Sequence, residues 1–218
     1  MAPETVVFDV NETLSDLRPL AERFTELGAP EHLSTLWFAS TLREGIALAA
    51  AGDYRPFAEV ARETAQDLLA PYTSDEDAPD HVIRGFLGLP LHPDVVEGVR
   101  RLRAAGSRLV TLSNGSTSVA ERLLGEAGIR DEFEYVLSVD DAGIWKPAPG
   151  AYEFAARVCR REPGELLMVA VHPWDLHGAA RAGMRTAWID RDGRRYPGHV
   201  QAPDHRVPTV GALAELPG

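Results

Sequence analysis

TVVFDVNETL, residues 5–14, opens on β-branched and aromatic side chains and ends in acids, an amide and a hydroxyl. Thr5 to Phe8 suit a buried strand, which is predicted to end at Asp9 and Val10. Residues from about Leu17 to Leu87 then read as almost entirely helical. Phe57, Val60, Ala61, Thr64 and Leu68 keep the spacing of one helix face, and Leu33, Leu36 and Trp37 begin another. Gly28, Gly52 and Pro71 are the expected breaks. From Pro90 the rhythm changes to alternating helix and strand. Val95, Val96, Val99 and Leu102 line a helix before a strand at Leu109–Leu112. Val119, Leu123, Leu124 and Ala127 line the next, before a strand at Tyr135–Leu137. Tyr152, Ala155, Ala156 and Cys159 share a helix face, Leu166–Val171 is a strongly apolar strand, and Thr186–Ile189 is a further one. Tyr196 to Pro208, rich in Pro and His, reads as loop.

Repeated strand–helix–strand units require an α/β fold with a parallel sheet and helices on both faces. The helical block after the first strand is then an insertion, a cap over the end of that sheet. The expected division is residues 1–14 with 91–218 for the core domain and 15–90 for the cap.

Composition narrows the function. The chain has 218 residues, with 22 Lys and Arg against 33 Asp and Glu, a net charge of −11. An acidic chain lacks the basic face that nucleic acid or an anionic membrane would need, so neither is an expected partner. No apolar run approaches the roughly 18 to 20 residues of a membrane-spanning helix. MAPETVVFDV carries no basic, then apolar, secretory pattern, so the cytoplasm is the expected compartment. Cys159 is the only cysteine, which excludes an internal disulfide; its place on an inward helix face predicts a packing role.

Ligands of open parallel sheets bind beyond the carboxyl ends of the strands. The polar residues expected there are Asp9, Asn11 and Thr13, then Ser113 and Asn114, then Lys146, then His172 and Asp175. Asp9 reads either as a turn cap or as a nucleophile or metal ligand, because an ionised carboxylate at the end of an apolar strand needs compensation. Lys146 could supply it. Asp175 reads as a helix cap or as a base that activates water. Ser116 and Thr117 are assigned to helix capping.

Four segments then carry a resemblance. FDVNETL (Phe8–Leu14), LVTLSNGS (Leu109–Ser116), GIWKPAPGAY (Gly143–Tyr152) and VHPWD (Val171–Asp175) stand in the order of the four motifs of the haloacid dehalogenase superfamily. The chain most resembles its L-2-haloacid dehalogenase branch. The resemblance implies a Rossmann-like core with an inserted helical cap, a small carboxylate as substrate and no cofactor; family members are often homodimers. It also implies roles: Asp9 as nucleophile, Thr13 fixing its loop, and Ser113 with neighbouring amides holding the substrate carboxylate. Asn114 would support that loop and Lys146 would stabilise the Asp9 carboxylate. Asp175 would direct or deprotonate water, with His172 as a second candidate base. Val10, Asn11, Trp37, Phe38, Tyr152 and Trp174 complete the expected substrate-binding set.

A phosphatase of this superfamily needs Mg²⁺ on oxygen ligands and an acid two positions after the nucleophile. Asn11 stands at that position, and apolar Val171 where the fourth motif would supply a ligand. A halide leaves without a proton, so Asn11 does no harm to carbon–halogen cleavage through an aspartyl ester. The chain departs from the branch at Phe38, where an arginine would receive the halide, at Ala170 in place of a serine, and at His172 in place of an asparagine. Losing a charged hydrogen bond at a leaving group costs roughly 1.5 to 3 kcal/mol. Two further readings therefore stand beside the first: a hydrolase with another leaving group, phosphatase-like, and a binding protein that has lost turnover.

Overall fold

The computed structural model describes residues 3–217. They form two compact units, one comprising the described residues through Ser15 together with those from Leu91, the other Asp16–Pro90. Ser15 goes with the first unit, where it bridges Leu91.

The first unit is built on a parallel sheet: β1 (Thr5–Phe8), β2 (Arg108–Ser113), β3 (Phe133–Ser138), β4 (Leu166–Ala170), β5 (Arg185–Ile189) and β6 (His205–Val207). Their order is β3-β2-β1-β4-β5-β6, with every pair parallel. The chain leaves β1 for β2 on one side and returns to β4 on the other. Asp9 therefore emerges between two strand ends, at the point where the winding reverses.

Strand alternation sends Val6 and Phe8 into one core and Val7 into the other. The first core packs under helices Val95–Ala104 and Thr117–Glu126 and the turn Val210–Glu215; the second lies under Pro149–Cys159 and Pro173–Arg181. Both faces of the sheet are thus covered, which is why its central strands read as unbroken apolar runs. Cys159 is buried in the second core, and burial pushes its thiol up to about 11.

The second unit holds four helices, α1 (Leu20–Glu26), α2 (Leu33–Ala50), α3 (Phe57–Leu69) and α4 (Ala78–Leu87). Phe24, Trp37, Phe38, Phe57 and Phe86 make its aromatic centre, with ring centroids 5.3–6.4 Å apart. The Trp37 indole N–H donates to the Ala61 carbonyl at 2.8 Å, and Thr41 and Thr64 share a hydroxyl hydrogen bond. Among the described residues no helix is long and apolar enough to cross a membrane.

Several expectations change. The segment from Tyr196 contains β6, paired with β5 from Ala187 to Ile189. Its anchors are side chains: Asp204 accepts the Thr186 N–H, and Arg206 pairs with Asp190 and lies over the Trp188 ring. Leu36 is exposed and Phe38 takes the buried place; Leu69 and Ala120 are buried where Leu68 and Val119 were expected. Ser116 stands at the start of its helix without a capping bond, its hydroxyl on Ser118 instead.

Gly98 allows a close approach within the first unit. A Cβ there would meet the Gly211 nitrogen at 2.6 Å and Val210 Cβ at 2.7 Å. Gly98→Ala is expected to destabilise the fold by about 1–3 kcal/mol, as overpacking does. A fall in the urea midpoint at unchanged m-value would show it.

Candidate active site

Asp9 continues the β1 ladder by donating its N–H to the Val169 carbonyl at 3.0 Å. The chain then turns, with the N–H groups of Leu14 and Ser15 both returning to the Val10 carbonyl. This turn brings Thr13 back over Asp9, and the Thr13 hydroxyl donates to Asp9 Oδ2 at 2.6 Å. The direction of that bond is set from behind, because the same hydroxyl accepts the Val171 N–H at 3.1 Å.

Lys146 arrives from the loop after β3. A short helix, Val139–Ala142, ends at Gly143, whose left-handed backbone (φ 66°) turns the chain toward the sheet edge. Asn114 grips the Lys146 backbone from both sides, accepting its N–H at 2.9 Å and donating to its carbonyl at 3.3 Å. Lys146 itself is fully buried, and Nζ donates to Asp9 Oδ1 at 2.9 Å and to Asp175 Oδ2 at 2.6 Å.

Asp175 lies in the first turn of the helix Pro173–Arg181, where the peptide dipoles favour an anion. It does not cap that helix. Its Oδ1 accepts the Tyr152 hydroxyl at 2.6 Å, and its Oδ2 faces Lys146. Gly178 permits this approach, since a Cβ there would come within 2.6 Å of both the Tyr152 hydroxyl and Pro147 Cβ.

His172 completes the cluster. Nδ1 lies 3.0 Å from Asp9 Oδ2 and Nε2 lies 2.7 Å from Glu12 Oε2, with the Trp174 ring stacked against it at 5.1 Å. Ionised carboxylates only accept, so both ring nitrogens must donate and the ring is an imidazolium. The expectation that His172 acts as a base is thereby corrected, because it has no lone pair to offer. Burial lowers its pKa, but the bonds to Asp9 and Glu12 outweigh that and raise it to about 10.

The remaining shifts follow the same geometry. Burial disfavours an ionised Asp9, yet Lys146 and then His172 hold its carboxyl well below the usual carboxylate range. Burial raises Asp175, with Lys146 opposing, so this acid binds a proton more readily than Asp9 does. Burial works against the Lys146 ammonium, but the charges of Asp175 and Asp9 raise its pKa. Tyr152 is pushed well above 10 by burial and by Asp175, so it stays a donor.

Of the expected residues, Asp9, Thr13, Asn114, Lys146, Tyr152, His172 and Asp175 are joined by direct hydrogen bonds. Ser113 and Asn11 lie beside them: the Ser113 hydroxyl accepts the Gly115 N–H at 2.9 Å, and Asn11 is buried with its amide nitrogen near Gly115. Val10 is different. Its side chain packs in the core, and it serves the site through its carbonyl. Trp37 and Phe38 belong to the helical unit, in its aromatic centre.

Three contributors escaped the sequence reading. Glu12, inside FDVNETL, carries no role in that reading. Ser138, which donates to the Gly115 carbonyl at 2.8 Å, ends β3 and was open to the same strand-end rule. Arg191 donates to the Thr13 carbonyl at 3.0 Å and pairs with Asp94; nothing in its local sequence marks it.

Residues 3–183, motifs and helical insertion included, match the family model for haloacid dehalogenase-like hydrolases. The chain belongs to this family, in its 2-haloacid dehalogenase branch. It is 32% identical to haloacetate dehalogenase H-2 of a Moraxella species, over 98% of this chain and 97% of that protein. It is 29% identical to an (S)-2-haloacid dehalogenase of a Pseudomonas species, over 97% and 93%. The L-2-haloacid dehalogenase of Xanthobacter autotrophicus, solved with chloropropionic acid covalently bound, superposes with a TM-score of 0.88 at 27% identity, covering 99% and 98% of the two chains.

Lys146→Met would leave two carboxylates buried without their shared cation. It is expected to destabilise this dehalogenase-like fold by about 3–5 kcal/mol at neutral pH, as breaking a buried ion pair does; denaturant titration measures it. His172 sets a second expectation. Its folded pKa lies above the unfolded value, so its contribution is complete below about pH 6.5 and is lost as pH rises through about 10. Stability should fall across that window with a slope of up to about 1.4 kcal/mol per pH unit, and His172→Asn should flatten it.

Proposed function

We propose that this protein is a metal-independent hydrolase of the (S)-2-haloacid dehalogenase type. It converts a small 2-halocarboxylate to a 2-hydroxy acid through an ester on Asp9. The observation that carries the reading is the setting of Asp9, a buried carboxylate kept anionic by Lys146 and His172 at the topological centre of the sheet.

A magnesium ion does not fit this donor set. Asp9 Oδ1 already accepts from an ammonium, and Oδ2 from Thr13 and an imidazolium, so a divalent cation would meet two positive charges. Val171, where a further oxygen ligand would be required, has an apolar side chain; its N–H is bonded to Thr13 and its carbonyl oxygen already accepts the Trp188 indole N–H. Asn11 cannot act as the acid that an alkoxide leaving group of a phosphate ester requires.

The substrate carboxylate is assigned to the pocket edge formed by Ser113, Gly115 and Asn11. A Cβ on Gly115 would lie 3.3 Å from Ser113 Oγ and 3.5 Å from Asn11 Nδ2, so the three residues lie together and glycine avoids a tight contact there. An oxygen of Asp9 attacks the α-carbon from the side opposite the halogen, and halide departs with the bonding electrons. Water then adds to the Asp9 ester carbonyl and gives a proton to Asp175, whose burial favours taking one. Collapse of the tetrahedral species restores Asp9 and frees the hydroxy acid, with inversion at carbon. Tyr152 and Lys146 hold Asp175 throughout, and Trp174, stacked on His172, is the aromatic group assigned to the substrate's apolar side.

Two measurements test the reading. Halide release from 2-chloro- and 2-bromocarboxylates should persist in excess chelator and fall by at least about 10³-fold in Asp9→Asn, as loss of a nucleophile does. Single turnover in ¹⁸O water should place label in Asp9. Absence of label, or phosphate release from aryl phosphates that depends on Mg²⁺, would overturn it.

A further inference from the structure

We propose that His172 and Thr13 form an oxyanion site for the Asp9 ester, and that Glu12 is the positioning residue that aims His172 into it. The inference rests on the ester mechanism above and assigns the two oxygens of Asp9 different tasks. Oδ1 accepts one hydrogen bond, from Lys146, whereas Oδ2 accepts two, from the Thr13 hydroxyl and His172 Nδ1. The less encumbered Oδ1 attacks carbon and becomes the ester oxygen. Oδ2 becomes the ester carbonyl oxygen, already facing two donors at 2.6 and 3.0 Å. When water adds to Cγ, the carbonyl electron pair moves onto Oδ2, where a hydroxyl and a cation receive it. When the Cγ–Oδ1 bond breaks, Oδ1 leaves on the product carbon beside the Lys146 ammonium. One proton of water goes to Asp175 and the product alkoxide is protonated from Lys146, which recovers its proton from Asp175 across their 2.6 Å bond; the second proton of water, left on the new Asp9 carboxyl, is released to solvent and restores the carboxylate. Fixed donors at a developing charge act most strongly in a dry site.

Glu12 shows the structural effort given to this arrangement. It has a left-handed backbone, φ 60°, which a residue with a side chain adopts only where its surroundings impose it. Its carbonyl accepts from His92 Nε2 at 2.9 Å while its carboxylate holds His172 Nε2 at 2.7 Å. The groups that govern the charge of His172 are Asp9 and Glu12 in direct contact, Lys146 and Asp175 beyond Asp9, and His92 behind Glu12.

Rapid-quench kinetics with a 2-bromocarboxylate, with intact-mass detection of the Asp9 adduct, separates the two half-reactions. In His172→Leu, halide should appear as a burst of about one equivalent while ester hydrolysis slows by about 10²–10³-fold, the loss typical of one oxyanion donor, and the adduct accumulates. His172→Asn, which keeps a neutral donor, should fall between. Glu12→Gln should move the alkaline limb of ester hydrolysis to lower pH without moving that of the burst. Equal slowing of both half-reactions, no adduct in either His172 variant, or an unmoved alkaline limb in Glu12→Gln would overturn the proposal. A wild type that forms no adduct and releases no halide would overturn the ester mechanism with it.

Discussion

A single buried ammonium organises this molecule. Lys146 is shut away from water, and an isolated charge in that position would be untenable, since removing an ion from water costs several kcal/mol even after relaxation. It is tolerated because two carboxylates, Asp9 at the end of β1 and Asp175 on the helix after β4, reach it within 2.9 Å. Each of those carboxylates, equally buried, depends on Lys146 in turn. The fold can be understood as the apparatus that brings the three together. A central β1 delivers Asp9, a loop clamped by Asn114 delivers Lys146, and a helix allowed close by Gly178 delivers Asp175.

The ion cluster is asymmetric, and the asymmetry is chemically useful. Asp9, Asp175 and Glu12 face two cations, and the strongest positive field falls on Asp9. One acid is thereby held fully ionised, as an attacking group must be, while the other, buried with a single cation and near the Asp9 charge, is shifted toward proton uptake. Environments that push two carboxyls apart in this way separate nucleophile from base without any difference in residue type. The same field is hostile to a divalent ion, so that charge placement and the choice of chemistry are one decision.

The helical unit obeys a different logic. Its centre is five aromatic rings, with polar groups confined to paired bonds such as Thr41 with Thr64. Phe38 is part of that centre, so the position where the resemblance calls for an arginine holds a ring of the aromatic stack instead. An activity on halide must then draw its leaving-group stabilisation from elsewhere, or work with less.

The sheet was legible because its strands are buried on both faces and read as short apolar runs bounded by turns. The polar list was legible because active groups in such sheets collect beyond the strand ends, which led from Phe8 to Asp9 and from Val171 to His172 and Asp175. What local sequence could not supply was side-chain partnership across the sheet. Glu12 gave no local signal because its partner lies 160 positions away. His172 looked like a base because neutrality is the ordinary state of histidine at pH 7, and only two facing carboxylates reverse that. β6 was missed because its anchors, Asp204 and Arg206, act through contacts with β5 rather than through β propensity. Strand, helix and residue order are thus properties of neighbouring residues, readable one segment at a time. Protonation state, and with it the division of labour among the charged groups, depends on distances between segments, which exist only once the chain has folded.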